Sequence, residues 1–192
     1  MPKNQGHGQA RTLSTEQLDS IADACPPHIR AVCQTCRYLA CRISEALALQ
    51  WVNVGSTDIV IPKSKTKGKL QTRSIPLHPR LSEELSTWRN AWAQKYGREP
   101  AKEDPIFPGR NGPPTTLSRF AMDRALRKAC GNVGIDGVSL HSFRRSSLTA
   151  ANDAGINHRV LCENSGHYSM DMLSRYLDVK DSQKREAALA FG

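Results

Sequence analysis

Four side chains near the C-terminal end of this chain have types and spacings that suit one reaction. His141 and Arg144 stand three residues apart in Leu140-His141-Ser142-Phe143-Arg144-Arg145, His167 follows Ser165-Gly166, and Tyr176 comes nine residues after His167. A phenol is a nucleophile once a base removes its proton, and imidazole titrates in the range where it can do so. A guanidinium presents a donor fork that matches phosphate oxygens. Together these are the groups needed to move a DNA phosphodiester onto a tyrosine. Each feature alone has a plainer explanation. A His near an Arg is common on surfaces, Tyr176 by itself fits a core aromatic with its hydroxyl tied to a carbonyl, and Tyr168 is a second phenol beside His167.

Further cations lie upstream. Arg42 precedes an apolar helical run, Ile43-Ser44-Glu45-Ala46-Leu47. A cation at a helix start is opposed by the helix dipole, and Glu45, three residues on, is placed to hold the guanidinium. The plain alternative is a surface ion pair. Lys63, Lys65, Lys67, Lys69 and Arg73 all occupy odd positions, so an extended backbone puts their charges on one face. That face is either a solvated hairpin tip or a contact for DNA phosphates, as Arg145 is either a surface charge or a further contact.

The elements that must position these groups follow from pattern. Ser14-Thr15-Glu16-Gln17 reads as a capping box opening a first helix. An apolar helical stretch runs from about Pro27 to Leu39 and leads to Arg42 at the next helix start. Asp58-Ile59-Val60-Ile61 and Thr72-Arg73-Ser74-Ile75-Pro76-Leu77 read as two strands of a hairpin or small antiparallel sheet. A helix carries Leu81, Leu85, Trp88 and Trp92 until Gly97-Arg98-Glu99-Pro100 ends it. Pro105 to Pro114, with four prolines and two glycines, is a loop. Further helices are expected at about Thr116–Ala129, Ser139–Ala154, Asn157–Asn164, Ser169–Leu177 and Ser182–Leu189. The expected class is α+β, mainly helical, with one small antiparallel sheet.

At 192 residues and 39% apolar content the chain fits one domain with a full core. The expected division is a flexible basic arm over residues 1–12, a domain over 13–178, and a C-terminal tail over 179–192. Lys and Arg number 27 against 18 Asp and Glu, a net charge of +9, so a polyanion is the expected partner, nucleic acid before an anionic membrane. No apolar run approaches the ~20 residues of a membrane-spanning helix, and the polar start is unlike a signal sequence, so a cytoplasmic protein is expected. Cys33-x-x-Cys36 invites a zinc reading, but a second ligand pair is missing from the sequence, and buried reduced thiols are the default for the six cysteines. No carboxylate cluster accompanies the candidate groups, so no metal site and no cofactor are expected.

Read jointly, these segments resemble the catalytic domain of the tyrosine recombinase (phage integrase) family. Arg42-Ile43-Ser44-Glu45-Ala46-Leu47 fits its first arginine box. Ser64-Lys65-Thr66 before Ile75-Pro76-Leu77 fits its hairpin lysine, His141 to Arg144 its His-x-x-Arg, Gly166-His167 its Gly-His, and Tyr176 its nucleophile. The boxes occur in order and span about Leu13 to Leu177. Leu39-Ala40-Cys41 departs from the usual Thr-Gly-Leu turn before the first arginine, Ser165 stands where Leu is usual, and Ser174-Arg175 replaces more common residues before the tyrosine. Only a dozen residues precede the first helix, which fits a single-domain member of the family or a piece of something longer.

The resemblance implies a site-specific recombinase that cuts and rejoins DNA of a mobile element through a 3′-phosphotyrosine. Arg42 and Arg144 would grip the phosphate, Tyr176 attack it, Lys65 protonate the leaving 5′ oxygen, His141 accept the phenolic proton, and His167 hydrogen-bond the phosphate, with Glu45 orienting Arg42. It also implies double-stranded DNA carrying a recombination site as partner, a homotetramer during exchange, and a role for accessory DNA-bending proteins. The tail from Asp178 to Gly192, with Ala187, Ala188, Leu189 and Phe191, would dock on a neighbouring subunit or pack on its own domain. Two other readings stand beside this one. A type IB topoisomerase uses a similar set but usually has Lys at the place of His141, and a non-catalytic DNA-binding regulator could share the fold.

Overall fold

The fold comes from a computed structural model, which describes residues 10–65, 71–174, 176–177 and 181–190; of residues 65, 182 and 183 the backbone alone is described. The described chain is mainly helical with one two-stranded antiparallel sheet. Lys67 and Lys69 lie outside the described residues, as does most of the expected N-terminal arm. The last residues of that arm are tied down. Arg11 Nη1 donates to the Asp136 carbonyl at 2.7 Å, Arg145 Nε donates to Thr12 Oγ1 at 3.1 Å, and the Leu13 N–H donates to Ser146 Oγ at 2.8 Å.

Helix α1, Thr15–Asp23, opens with the expected capping box: Ser14 Oγ accepts the Gln17 N–H at 3.3 Å, and Gln17 Oε1 accepts the Ser14 N–H at 3.1 Å. Helix α2, Pro27–Tyr38, starts with proline at its first position, where the missing N–H costs nothing. It is the central element, in contact with α1, with α3 (Ile43–Leu47), with α4 (Pro79–Tyr96), with α5 (Arg119–Asn132) and with α6 (Leu140–Asp153). Its Ile29, Ala31, Val32, Cys33 and Cys36 are buried in the main core, which Trp88 and Trp92 of α4 and Phe143 of α6 also fill. Cys33 and Cys36 are thus free core thiols.

Strand β1, Asp58–Ile61, pairs with β2, Arg73–Pro76, with Ile59 opposite Ile75 and Ile61 opposite Arg73. Alternation sends Ile59, Ile61, Arg73 and Ile75 inward and Val60 and Ser74 outward. The extended stretch does not continue past Ile61. Lys63–Lys65 coils into a 3-10 turn, with the Lys63 N–H on Thr72 Oγ1 at 3.2 Å. The odd-position argument for a shared basic face therefore fails here, because period two needs a strand.

The start of α5 and the end of α8 also differ from expectation, each for a hydrogen-bonding reason. Helix α5 begins at Arg119 rather than Thr116, since the Leu117 N–H is taken by the Phe107 carbonyl at 2.8 Å and Thr116 bridges to Pro108. Helix α7 covers His158–Ser165. Helix α8 covers Met170–Ser174 and stops short of Leu177. There the Tyr176 N–H bonds the Leu173 carbonyl at 2.7 Å and the Leu177 N–H the Ser174 carbonyl at 3.1 Å, both three residues back, so the chain tightens into a turn. A small second core of Leu148, Leu161 and Leu173, against which Tyr176 and Leu177 pack, holds this segment to α6. Helix α9, Asp181–Ala190, closes the described chain. Among the described residues no helix is long and apolar enough to cross a membrane.

Candidate active site

Glu45 organises the site. It is fully buried in α3, and three guanidiniums surround it. Its Oε2 accepts the Arg42 backbone N–H at 2.8 Å and Arg73 Nη2 at 3.0 Å, and its Oε1 accepts Arg42 Nη1 at 3.2 Å. Arg144 Nη1 lies 3.9 Å from Oε2. Burial pushes the Glu45 carboxyl up, but the Arg42 N–H and the Arg73 and Arg42 charges outweigh it and leave it below the ordinary carboxylate value. Glu45 thus caps α3, supplies the anion that its N-terminus favours, and fixes Arg42 in place. The turn that delivers Arg42 runs through Ala40, whose φ of +43° puts a non-glycine residue in the left-handed region.

Arg73 is where sequence and structure part. Its basic neighbours suggested a surface contact for DNA, yet its side chain is 4% exposed and its charge is spent on Glu45. The register explains this, since Arg73 shares the inward face of β2 with Ile75. The alternation Arg73, Ile75 inward and Ser74, Pro76 outward was present in the sequence and is the signal that could have found it. Arg145 is corrected likewise: it is buried and donates to Thr12. Neither guanidinium faces solvent.

Gly166 locks the next layer. It ends α7 at φ +70°, and its carbonyl accepts Arg42 Nη1 and Nη2 at 3.3 and 3.4 Å. A Cβ at this position would overlap the Arg73 guanidinium. Gly166→Ala is therefore expected to lower stability by more than the roughly 1–2 kcal/mol of left-handed strain alone, read as a drop in thermal midpoint. An unchanged midpoint would mean that β2 and α7 are not packed this closely.

The turn after α7 brings His167 to Arg144. Arg144, from α6, is 1% exposed, and its Nη2 lies 2.9 Å from His167 Nε2. Among the described residues its Nε and Nη1 have no hydrogen-bond partner. Burial, then Arg42, brings the Arg144 value down to about 10, which leaves it cationic at neutral pH. The Tyr176 ring covers this pair, 5.6 Å from Arg144 Cζ and 4.7 Å centroid to centroid from the His167 ring. Thr149 Oγ1 holds the Tyr176 carbonyl at 3.2 Å. Tyr168, the rival phenol, is 79% exposed and stays outside the cluster. His141 is half-buried on the first turn of α6; burial, then Arg119, Arg144 and Arg42, lowers its value. Lys65 closes the 3-10 turn before residues 66–70, and its side chain is outside the description.

The environment of His167 has a measurable consequence. Burial, with Arg144, Arg42 and Arg73 adding to it, pushes the imidazole down to about 3 from its ordinary 6.5. Between those values the unfolded chain binds a proton that the fold refuses, so stability falls as pH falls. The expected contribution is at most about 1.4 kcal/mol per pH unit across that window. Urea midpoints measured through it should decline less steeply in His167→Gln, and equal slopes would contradict a neutral buried imidazole.

Residues 11–183 match the model of the phage integrase family. The relatives include y4qK of Sinorhizobium fredii, provisionally named an integrase/recombinase, 30% identical over 78% of this chain and 46% of its own length. A tyrosine recombinase of Pseudothermotoga lettingae is 27% identical over 76% of this chain and 48% of its own. The chain spans about half the length of the curated relatives it matches. Among solved structures, XerA recombinase superposes with a TM-score of 0.77 at 18% identity, over all of this chain and 66% of that one. XerH site-specific recombinase bound to its difH substrate before cleavage gives 0.73 at 17%, over 98% and 57%. The fold is that of a tyrosine recombinase catalytic domain. This chain belongs to the phage integrase family.

Proposed function

We propose that this chain is the catalytic part of a site-specific DNA recombinase that breaks and rejoins strands through a 3′-phosphotyrosine. The observation that carries the reading is the placement of the Tyr176 ring against Arg144 and, tilted, against His167, beside an Arg42 held by Glu45 and Gly166. A phosphodiester resists a phenolate because both are anionic, so the site must supply positive charge and a proton. Among the described residues nothing takes the Arg144 Nε and Nη1 donors, and Arg42 is 21% exposed, so both have capacity for non-bridging oxygens. Removing one such donor usually costs about 10²–10³ in rate. The Tyr176 ring has to yield for a phosphate to reach Arg144.

In this reading His141, kept neutral by its surroundings, takes the phenolic proton. The tyrosine oxygen bonds to phosphorus, the bond to the 5′ oxygen breaks, and Lys65 protonates that oxygen. The phosphotyrosine conserves the energy of the broken bond, so rejoining needs no nucleotide, and the guanidiniums supply the charge stabilisation that a metal would otherwise give. Lys63, Lys67 and Lys69 contact flanking phosphates. Exchange between two DNA sites takes a homotetramer. Helix α9 supports this, because its described side chains, Leu189 at 83% among them, are exposed rather than packed on their own domain.

The test is covalent capture in chelating buffer on nicked duplexes of randomised sequence, in which the released end diffuses away and traps the intermediate. An adduct that survives denaturant is expected. No adduct from the folded protein would overturn the reading. Relaxation of supercoiled circles without joining of two sites would redirect it to a topoisomerase.

A further inference from the structure

We propose that Arg73 and Thr72 are positioning residues that pin the turn carrying Lys65 to the arginine cluster, so that the proton donor of the hairpin and the phosphate grip of Arg42 keep one registration. The role of Lys65 rests on the recombinase reading; the pin does not.

The ladder of β1 and β2 brings the hairpin to the cluster and ends there, its last described pair being Ile61 with Arg73. On the inner face Arg73 is held at two places. Its Nη2 donates to Glu45 Oε2 at 3.0 Å and its Nη1 to Oε1 at 3.5 Å, so the fork meets both oxygens of the carboxylate in α3. The same guanidinium occupies the space beside Gly166 at the end of α7, where a Cβ would stand 1.5 Å from Nη1. A strand touching helices through aliphatic side chains can shift along them with little change in contact. An arginine seated on a buried carboxylate and against a backbone cannot, and β2 is fixed with it.

On the outer face, one residue earlier, Thr72 is exposed and its Oγ1 accepts the Lys63 N–H at 3.2 Å. Lys63 opens the 3-10 turn that Lys65 closes. Beyond Ile61 and Arg73 a side chain thus takes over from the backbone ladder, and the turn is tied to the residue adjoining the one that Glu45 holds. Alternation makes this possible, because neighbours in an extended chain point to opposite faces. The contacts run from Lys63 through Thr72 and Arg73 to Glu45, which also holds Arg42 Nη1 at 3.2 Å. A lysine ammonium sits on a flexible four-carbon stem, so it is aimed only as well as its backbone is held.

Two measurements test the pin. Hydrogen exchange at the Lys63 amide, followed by ¹⁵N NMR on the full chain, should be slow in the unsubstituted protein, faster in Thr72→Val and slow again in Thr72→Ser; equal rates in all three overturn the proposal. The second uses the duplex sequence recovered from the capture experiment above, made with oxygen or with sulfur at the bridging 5′ position of the cut. With oxygen, the bond from phosphorus breaks as the ammonium gives its proton to the 5′ oxygen. With sulfur, the thiolate leaves with the bonding pair and needs no proton, because a thiol is far more acidic than an alcohol. On oxygen, Arg73→Lys, which keeps the charge but not the fork, should slow adduct formation on the order of 10²-fold, the cost of displacing a reacting group by about 1 Å. Thr72→Val should slow it by a smaller factor, and Thr72→Ser should recover the rate. On sulfur both variants should match the unsubstituted chain, since Arg42 keeps Glu45 and the Gly166 carbonyl. A loss equal on both substrates means damage to the cluster rather than misplacement of the donor and overturns the proposal, as does a Thr72→Val variant that keeps its rate on oxygen. The expected exchange pattern with no adduct from the unsubstituted protein leaves the pin standing and removes the recombinase reading instead.

Discussion

Tyr176→Phe is expected to abolish the denaturant-stable adduct with nicked DNA altogether, while leaving duplex affinity and thermal midpoint close to those of the unsubstituted chain. The phenol oxygen is the one atom lost. Tyr176 packs through its ring, against Arg144, His167 and the small core of Leu148, Leu161 and Leu173, and a phenylalanine keeps that ring. The hydrogen bond that anchors the residue involves its backbone carbonyl and Thr149, so it survives as well. A nucleophile cannot be partly replaced by positioning groups, since these lower a barrier only for a bond that some atom forms. Tyr168→Phe is the matched control: that side chain is exposed and outside the cluster, so its adduct yield should be unchanged. If adduct persists in Tyr176→Phe and vanishes in Tyr168→Phe, the nucleophile has been misassigned.

Glu45→Gln carries the second large effect, and it falls first on stability. The carboxylate has no solvent exposure and is the sole anion among the described groups around Arg42, Arg73 and Arg144. Glutamine matches its shape but removes its charge, which leaves two nearly buried guanidiniums, Arg73 and Arg144, without compensation. Breaking a buried pair from one side typically costs about 3–5 kcal/mol, enough to consume much of an ordinary domain's margin. The α3 start also suffers, because the Arg42 N–H loses a charged acceptor. Chemical denaturation should report the loss, and Glu45→Gln/Arg73→Met should recover part of it by removing one stranded charge. A glutamine variant within about 1 kcal/mol of the original, the range of exposed pairs, would show that the three arginines do not depend on this carboxylate. Because the folded Glu45 value is depressed, its contribution is present above the ordinary carboxylate value of 4.5 and disappears as pH falls through the lower folded one.

Local chemistry was legible wherever a residue's neighbours in sequence are also its neighbours in space. The Ser14 capping box, the proline start of α2, the pair Arg42 and Glu45, the strand Asp58–Ile61 and the i,i+3 spacing of His141 and Arg144 all depend on four residues or fewer. The joint order of motifs was legible too, because a reaction that needs a phenol, imidazoles and guanidiniums leaves those residue types in the chain whatever surrounds them. The misreadings came where a charged residue's partner lies far along the sequence. Arg73 and Arg145 looked like surface cations because composition favours that for arginine, but Glu45, twenty-eight residues before Arg73, and Thr12, far before Arg145, draw them inward.

The sequence by itself determined which candidate groups the chain carries and in what order, the helical character of most of the elements that carry them and the basic charge that suits a polyanion. Tertiary structure alone decided which of those cations are structural and which remain available, because a guanidinium's role depends on whether a buried carboxylate reaches it.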